Sequence, residues 1–151
     1  MSDHIWKGCV VPAELLYDVG RNVWIRFEGE EAVLGMTDVA QTACGKLVQI
    51  SWKAPGRKVV QGKPLCVIES AKWVGPFQAP FGGVIVETNQ AAFDEDVLVA
   101  NRDPYGAGWL VRFRPDDFGS ERQHLLDGAA AYEHYRRMID ENDLHCYRCA
   151  E

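Results

Sequence analysis

The chain has 151 residues, 16 Lys+Arg against 22 Asp+Glu for a formal charge of −6, 47% hydrophobic residues and a mean hydropathy of −0.21. This is the composition of one globular domain, able to bury roughly two thirds of its unfolded surface without a disulfide framework or a structural metal. An acidic balance with no basic run excludes nucleic acid and anionic membrane as the main partner, because both demand clustered Lys and Arg.

No stretch reaches the ~18 apolar residues of a membrane span, and the start Met1-Ser2-Asp3-His4 lacks the charged and apolar regions of a signal peptide. A cytoplasmic location is expected. Cys9, Cys44, Cys66, Cys146 and Cys149 are odd in number and unevenly spaced, which fits reduced thiols; only Cys146 and Cys149 look paired by sequence.

In chain order, Pro and Gly divide the first four fifths into short β-prone runs at 23–27, 32–35, 47–52, 65–69, 83–87 and 109–113, a spacing that predicts an all-β barrel or sandwich. One two-turn helix interrupts them. Thr37-Asp38 supplies N-cap oxygens, Asp38 has Gln41 three residues on as in a capping box, and Gly45 ends the segment. From Ser120 the β signal stops, and Leu125, Ala129, Tyr132, Tyr135, Met138 and Ile139 recur at near-helical spacing, with Gly128 as a point of breakage. The expected organisation is a β domain over 1–119 with an N-terminal extension, a C-terminal helix over 120–142 packed on it, and an exposed Cys-containing tail over 143–151.

The informative segment runs from Val67 to Asn89. A β run enters, polar residues cluster at Glu69, Ser70 and Lys72, a second extended run leaves, and Pro80 with Gly82-Gly83 forces a turn. Lys72 is thereby predicted at an exposed hairpin tip. Most turn lysines are simply solvated, and spacing alone does not distinguish this one.

These residues resemble the lipoyl-bearing H-protein class, whose pattern is Glu-Ser-x-Lys followed by Pro-x-x-Gly-x-Val and an Asn; here it reads Glu69, Ser70, Lys72, Pro80, Gly83, Val84 and Asn89. The segment from Gly35 to Gln41 is similar to the family's Gly-Ile-Thr-Asp-x-Ala-Gln, and that from Asn101 to Leu110 to its Asn-x-Asp-Pro-Tyr-Gly-x-Gly-Trp-Leu. The likeness spans about residues 17 to 139, with three motifs in the right order. A biotin carrier would have Met on both sides of its lysine, whereas the flanks here are Ala71 and Trp73.

The resemblance implies a mostly β, lipoyl-type barrel-sandwich hybrid with a short internal helix and a C-terminal helix. It further implies lipoic acid in amide linkage on Lys72, with Glu69 and Ser70 read by the lipoylating enzyme, a lipoate ligase or lipoyl transferase. The protein is then a carrier and not an enzyme. Asp103-Pro104-Tyr105-Gly106 reads as a structural β-turn, and Trp109 as a core residue.

The resemblance offers two pathways: glycine cleavage, where the arm carries an aminomethyl group, and sulfur oxidation by a heterodisulfide-reductase-like complex, where the arm is expected to carry sulfur. Dihydrolipoamide dehydrogenase is a further candidate partner. Arg21-Asn22-Val23-Trp24 stands where the glycine-cleavage pattern has His-Glu-Trp, Cys44-Gly45 replaces its Leu-Gly, and the chain continues to Cys149 past the last helix. These departures favour the sulfur pathway. An unmodified interaction domain of the same fold is the remaining alternative.

Cys44, Cys146 and Cys149 are the candidate auxiliary thiols; Cys66, within a β run, reads as a small buried apolar residue, and Cys9 has no local partner. Cys146-x-x-Cys149 has redox spacing without a thioredoxin context, His145 precedes the pair instead of following it, and three candidates are too few for a zinc site.

Overall fold

The computed structural model describes residues 4–148. The chain opens with a hairpin of β1 (His4–Trp6) and β2 (Cys9–Val11), turned by Lys7 and Gly8 at φ 48° and 80°, the left-handed pair that a two-residue hairpin requires. β3 (Leu16–Asp18), β4 (Val23–Glu28) and β5 (Glu31–Met36) follow as an antiparallel meander, then α1 (Asp38–Cys44), β6 (Leu47–Trp52), β7 (Lys58–Val59), β8 (Pro64–Ser70), β9 (Val74–Gln78) and β10 (Gly83–Thr88). Two short helices, α2 (Gln90–Glu95) and α3 (Val99–Arg102), lead to β11 (Val111–Pro115), β12 (Leu126–Asp127) and α4 (Gly128–Glu141).

A seven-stranded sheet has the order β12-β3-β4-β5-β11-β10-β7, and a three-stranded sheet the order β6-β8-β9. Neither closes into a barrel; the architecture is mostly β with a C-terminal helix. Ile25, Leu34, Ile85 and Phe113 of the larger sheet share one buried core with Leu47, Leu65, Ile68 and Phe77 of the smaller. Burying these side chains fully is worth about 1.5–3 kcal/mol each. The other face of the larger sheet is covered by α4, whose Ala131, Tyr135 and Ile139 recur at helical spacing and pack with Tyr17, Trp24, Val33, Cys9 and Val11. The Trp24 indole lies so close over Gly35 that a Cβ there would fall 2.5 Å from the ring.

Four expectations are corrected. The C-terminal helix begins at Gly128 and not at Ser120, because Leu126 and Asp127 pair with Tyr17 and Leu16 as an added strand, and the Asp127 side chain then caps α4 by accepting from Ala130 N at 2.9 Å. The cysteines are not all reduced: Cys9 and Cys146, 137 residues apart, form a disulfide, so Cys146 is not paired with its sequence neighbour, and Cys149 lies outside the described residues. Residues 144–148 are not a free tail. Cys146 N donates to Lys7 O, the Tyr147 carbonyl accepts from Gln41 Nε2 and Thr42 Oγ1, and the Arg148 guanidinium pairs with Asp38. Trp109, expected in the core, packs at its edge, half-buried with the guanidinium of Arg112 over its ring, and β11 starts two residues beyond it. Asp103-Pro104-Tyr105-Gly106 forms the predicted turn, with Gly106 N donating to Asp103 O at 3.3 Å.

Candidate functional site

Ser70 ends β8 and its backbone N–H donates to Trp73 O at 2.7 Å, which closes the turn that carries Ala71 and Lys72 into solvent. The Ser70 hydroxyl is buried, donates to Cys44 O at 2.7 Å and accepts from Lys72 N at 3.3 Å. Ser70 therefore ties the lysine turn to the last carbonyl of α1. Glu69 points the other way on β8 and is exposed. Among the described residues no carboxylate lies within ion-pair distance of Lys72.

The C-terminus of α1 is held in place by side chains from distant parts of the chain. Gly45 sits at φ 84° and ψ −168°, a region essentially open to glycine alone, and its N–H returns to Gln41 O. The missing Cβ matters twice, because one placed there would be 3.1 Å from Lys72 Cε. Asn101, buried, accepts from Leu47 N at 3.0 Å and donates through Nδ2 to Gly45 O at 2.9 Å and Gln41 Oε1 at 3.2 Å. At the other end of α1, Thr37 is the N-cap and accepts from Ala40 N. The expected Asp38–Gln41 capping box takes another form: Gln41 Nε2 donates to the Asp38 carboxylate at 2.8 Å, while Asp38 N donates to Tyr105 OH, which donates in turn to Val10 O. Burial pushes the Tyr105 hydroxyl well above the usual phenol range. These residues come from separate sequence motifs, and together they set the position of α1 and so of Gly45 beneath Lys72.

Cys44, the last residue of α1, lines a cleft of about 370 Å³ together with Arg21, Met36, Ile68, Trp73 and Phe77. Burial pushes its thiol up, against the opposing pull of the Ser70 hydrogen bond and the Lys72 charge. Cys66 is wholly buried in β8, which drives its thiol far up and leaves it inert. The structure thus brings Cys44, Ser70 and Lys72 together and leaves Glu69 on the open side. Sequence reasoning missed Asn101 and Gln41 as supports of the site, although Gln41 and Gly45 stand at the i, i+4 spacing that puts them on one helix face. It also missed the Cys9–Cys146 pairing, for which no local spacing exists.

A single amine on a tight turn, with no ion partner among the described residues, its stem against a glycine and a cleft of mixed polar and apolar lining beside it, suits acylation. A lysine raised on a turn of a rigid β scaffold is placed as the acylable group of a carrier protein must be, clear of the body that holds it. Residues 15–139 match the family described as Glycine cleavage H-protein, and the chain belongs to that family. It is 37% identical to "Glycine cleavage system H protein 2" of Aquifex aeolicus, over 93% of this chain and 88% of that one. It is 41% identical to "Probable glycine cleavage system H protein 2" of Sulfurisphaera tokodaii, over 94% and 97% respectively. The crystal structure of a glycine cleavage system H protein from Mycobacterium marinum superposes with a TM-score of 0.69 at 31% identity, covering 89% of this chain and all of that one. Proteins of this family are carriers and not catalysts, and they bear covalently attached lipoate.

Proposed function

We propose that Lys72 is the lipoyl attachment site, that the chain works in the cytoplasm as a swinging-arm carrier, and that Glu69 and Ser70 form part of the surface a lipoate ligase or lipoyl transferase reads. The observation that carries this reading is the anchored turn: Ser70 Oγ binds both Cys44 O and Lys72 N, so the lysine leaves a fixed base. When bound, lipoate supplies a dithiolane that opens to two thiols and recloses; the chemistry is the cofactor's. The chain holds the amide at Lys72 Nζ, orients the stem against Gly45, and offers partners exposed apolar contacts at Val48, Trp73 and Val74. Stem plus arm measure about 14 Å at bond lengths near 1.5 Å, enough to visit more than one active site. Tryptic mapping of protein from its native host should place the adduct on Lys72; an adduct on Lys53, Lys58 or Lys63 overturns the assignment.

For the cargo, the reading is sulfur, delivered to a heterodisulfide-reductase-like complex. It is supported by Cys44, a thiol in the cleft at the foot of Lys72 where the glycine-cleavage pattern has leucine. The second reading, aminomethyl transfer with the glycine cleavage enzymes, is supported by the names of the relatives. One assay separates them: the reduced, lipoylated protein is offered either glycine with its decarboxylase or a sulfur donor, and the product is weighed. Aminomethyl loading without a sulfur adduct defeats the first reading, and the reverse defeats the second.

A further inference from the structure

We propose that the Cys9–Cys146 disulfide is a built-in redox partner of the dithiol carried on Lys72, accepting an electron pair from it within one molecule. The inference rests on the lipoyl reading above and goes beyond it by giving the disulfide a function. Both groups are anchored to α1. Lys72 Cε lies against Gly45 at its C-terminus, and the Tyr147 carbonyl, one residue after Cys146, accepts from Gln41 Nε2 at 2.8 Å. Asn101 Nδ2 bridges Gly45 O and Gln41 Oε1, so these two acceptors are no more than about 6 Å apart. Gly45 and Gln41 are about one helical turn apart along α1, about 6 Å, and Cys146 stands one residue from the carbonyl held by Gln41, so the disulfide lies on the order of 10–15 Å from the tip of the lysine stem. An acyl dithiol extends on the order of 10 Å beyond Nζ. Stem and arm together are long enough to span such a gap, and the tether raises the effective concentration of the dithiol at the disulfide.

Access is asymmetric. Cys9 is fully buried in β2, whereas Cys146 is half-buried on the segment that crosses α1. Attack therefore falls on Cys146 Sγ. The Cys9–Cys146 bond breaks and its electron pair leaves on Cys9 Sγ, which takes up a proton. The second arm thiol then displaces Cys146 as a thiolate and closes the dithiolane. The arm is oxidised by two electrons and the cysteine pair reduced by two, with no outside oxidant. In a reducing compartment a disulfide is most often transient and part of such a cycle.

The test uses the full-length lipoylated chain, whose intact mass first verifies the adduct on Lys72. It is reduced with excess NADH and a dihydrolipoamide dehydrogenase, quenched at intervals by alkylation and mapped by mass spectrometry. Label should appear on Cys9 and Cys146 about 100-fold faster than when the unlipoylated chain is given an equimolar amount of free dihydrolipoamide. Lys72→Arg should behave like the unlipoylated chain. Label confined to the arm thiols, or equal rates in the two arms of the experiment, overturns the exchange and leaves the carrier reading standing. Absence of any adduct on Lys72 overturns the carrier reading, and the exchange with it.

Discussion

Two residues beside Lys72 do more for its position than the lysine does itself. Gly45 combines φ 84° with a Cβ position 3.1 Å from Lys72 Cε, so Gly45→Ala meets backbone strain and displaces the stem together. It should cost about 1–2 kcal/mol in urea unfolding and slow lipoylation while leaving the fold intact; unchanged modification kinetics would show that the stem needs no such seat. Ser70→Ala leaves the Cys44 carbonyl without its 2.7 Å donor. A loss of about 1–2 kcal/mol is expected, with a slower ligase reaction that Ser70→Thr partly restores if the hydroxyl, and not the small side chain, is what matters. Lys72 and Ser70 were legible because they are contiguous in one motif. Gly45 was legible as a helix stop, but its contact with Lys72 was not, since that contact joins two segments through folding alone.

At the scale of elements, α1 is the part on which the site depends. Its seven residues are too few to be stable as an isolated helix, and tertiary hydrogen bonds from Tyr105, Asn101 and Tyr147 hold it. Most strands that flank the lysine were readable from alternation between Pro and Gly breaks. β1, β2, β3, β7 and β12 escaped because strands of two or three residues carry too little periodicity to see, and the start of α4 was misplaced because Leu126 serves the sheet and not the helix. The disulfide escaped because pairing over 137 residues leaves no local trace. That separation has a measurable consequence: closing so long a loop restricts the unfolded chain by about 4–5 kcal/mol on the chain-entropy account. Reductant should therefore lower the urea midpoint of the wild type and not of Cys146→Ser. Equal sensitivity in both would mean that the bond is absent in solution or adds nothing. Arg148→Ala should add a smaller loss, about 1–3 kcal/mol, because Asp38 is wholly buried and keeps its bonds from Val10 N and Gln41 when the guanidinium goes.

At the scale of the whole molecule, the stability should fall on the alkaline side. Burial raises Cys44, Cys66, Tyr105 and Tyr135 alike, and each resists ionisation in the fold more than in the open chain. A group raised on folding stabilises the protein fully below its unfolded value, and that stabilisation is lost as pH rises from there toward the folded value. Unfolded thiols titrate near about 8.5 and phenols near about 10. The carboxylates lowered by partners, Glu28, Asp96 and Asp140, are at the surface, where solvent screens them and their protonation in acid changes stability little. The expected profile of Tm against pH is thus flat through neutrality, with a first decline beginning near pH 8.5 from the thiols and a second above about pH 10 from the tyrosines. Pairing Cys44→Ala with Cys66→Ala separates the two, since the double variant should lose the first decline and keep the second. A profile that stays level to pH 11, or a double variant that keeps the first decline, would mean that the buried thiols and phenols are not the groups that limit this fold in base.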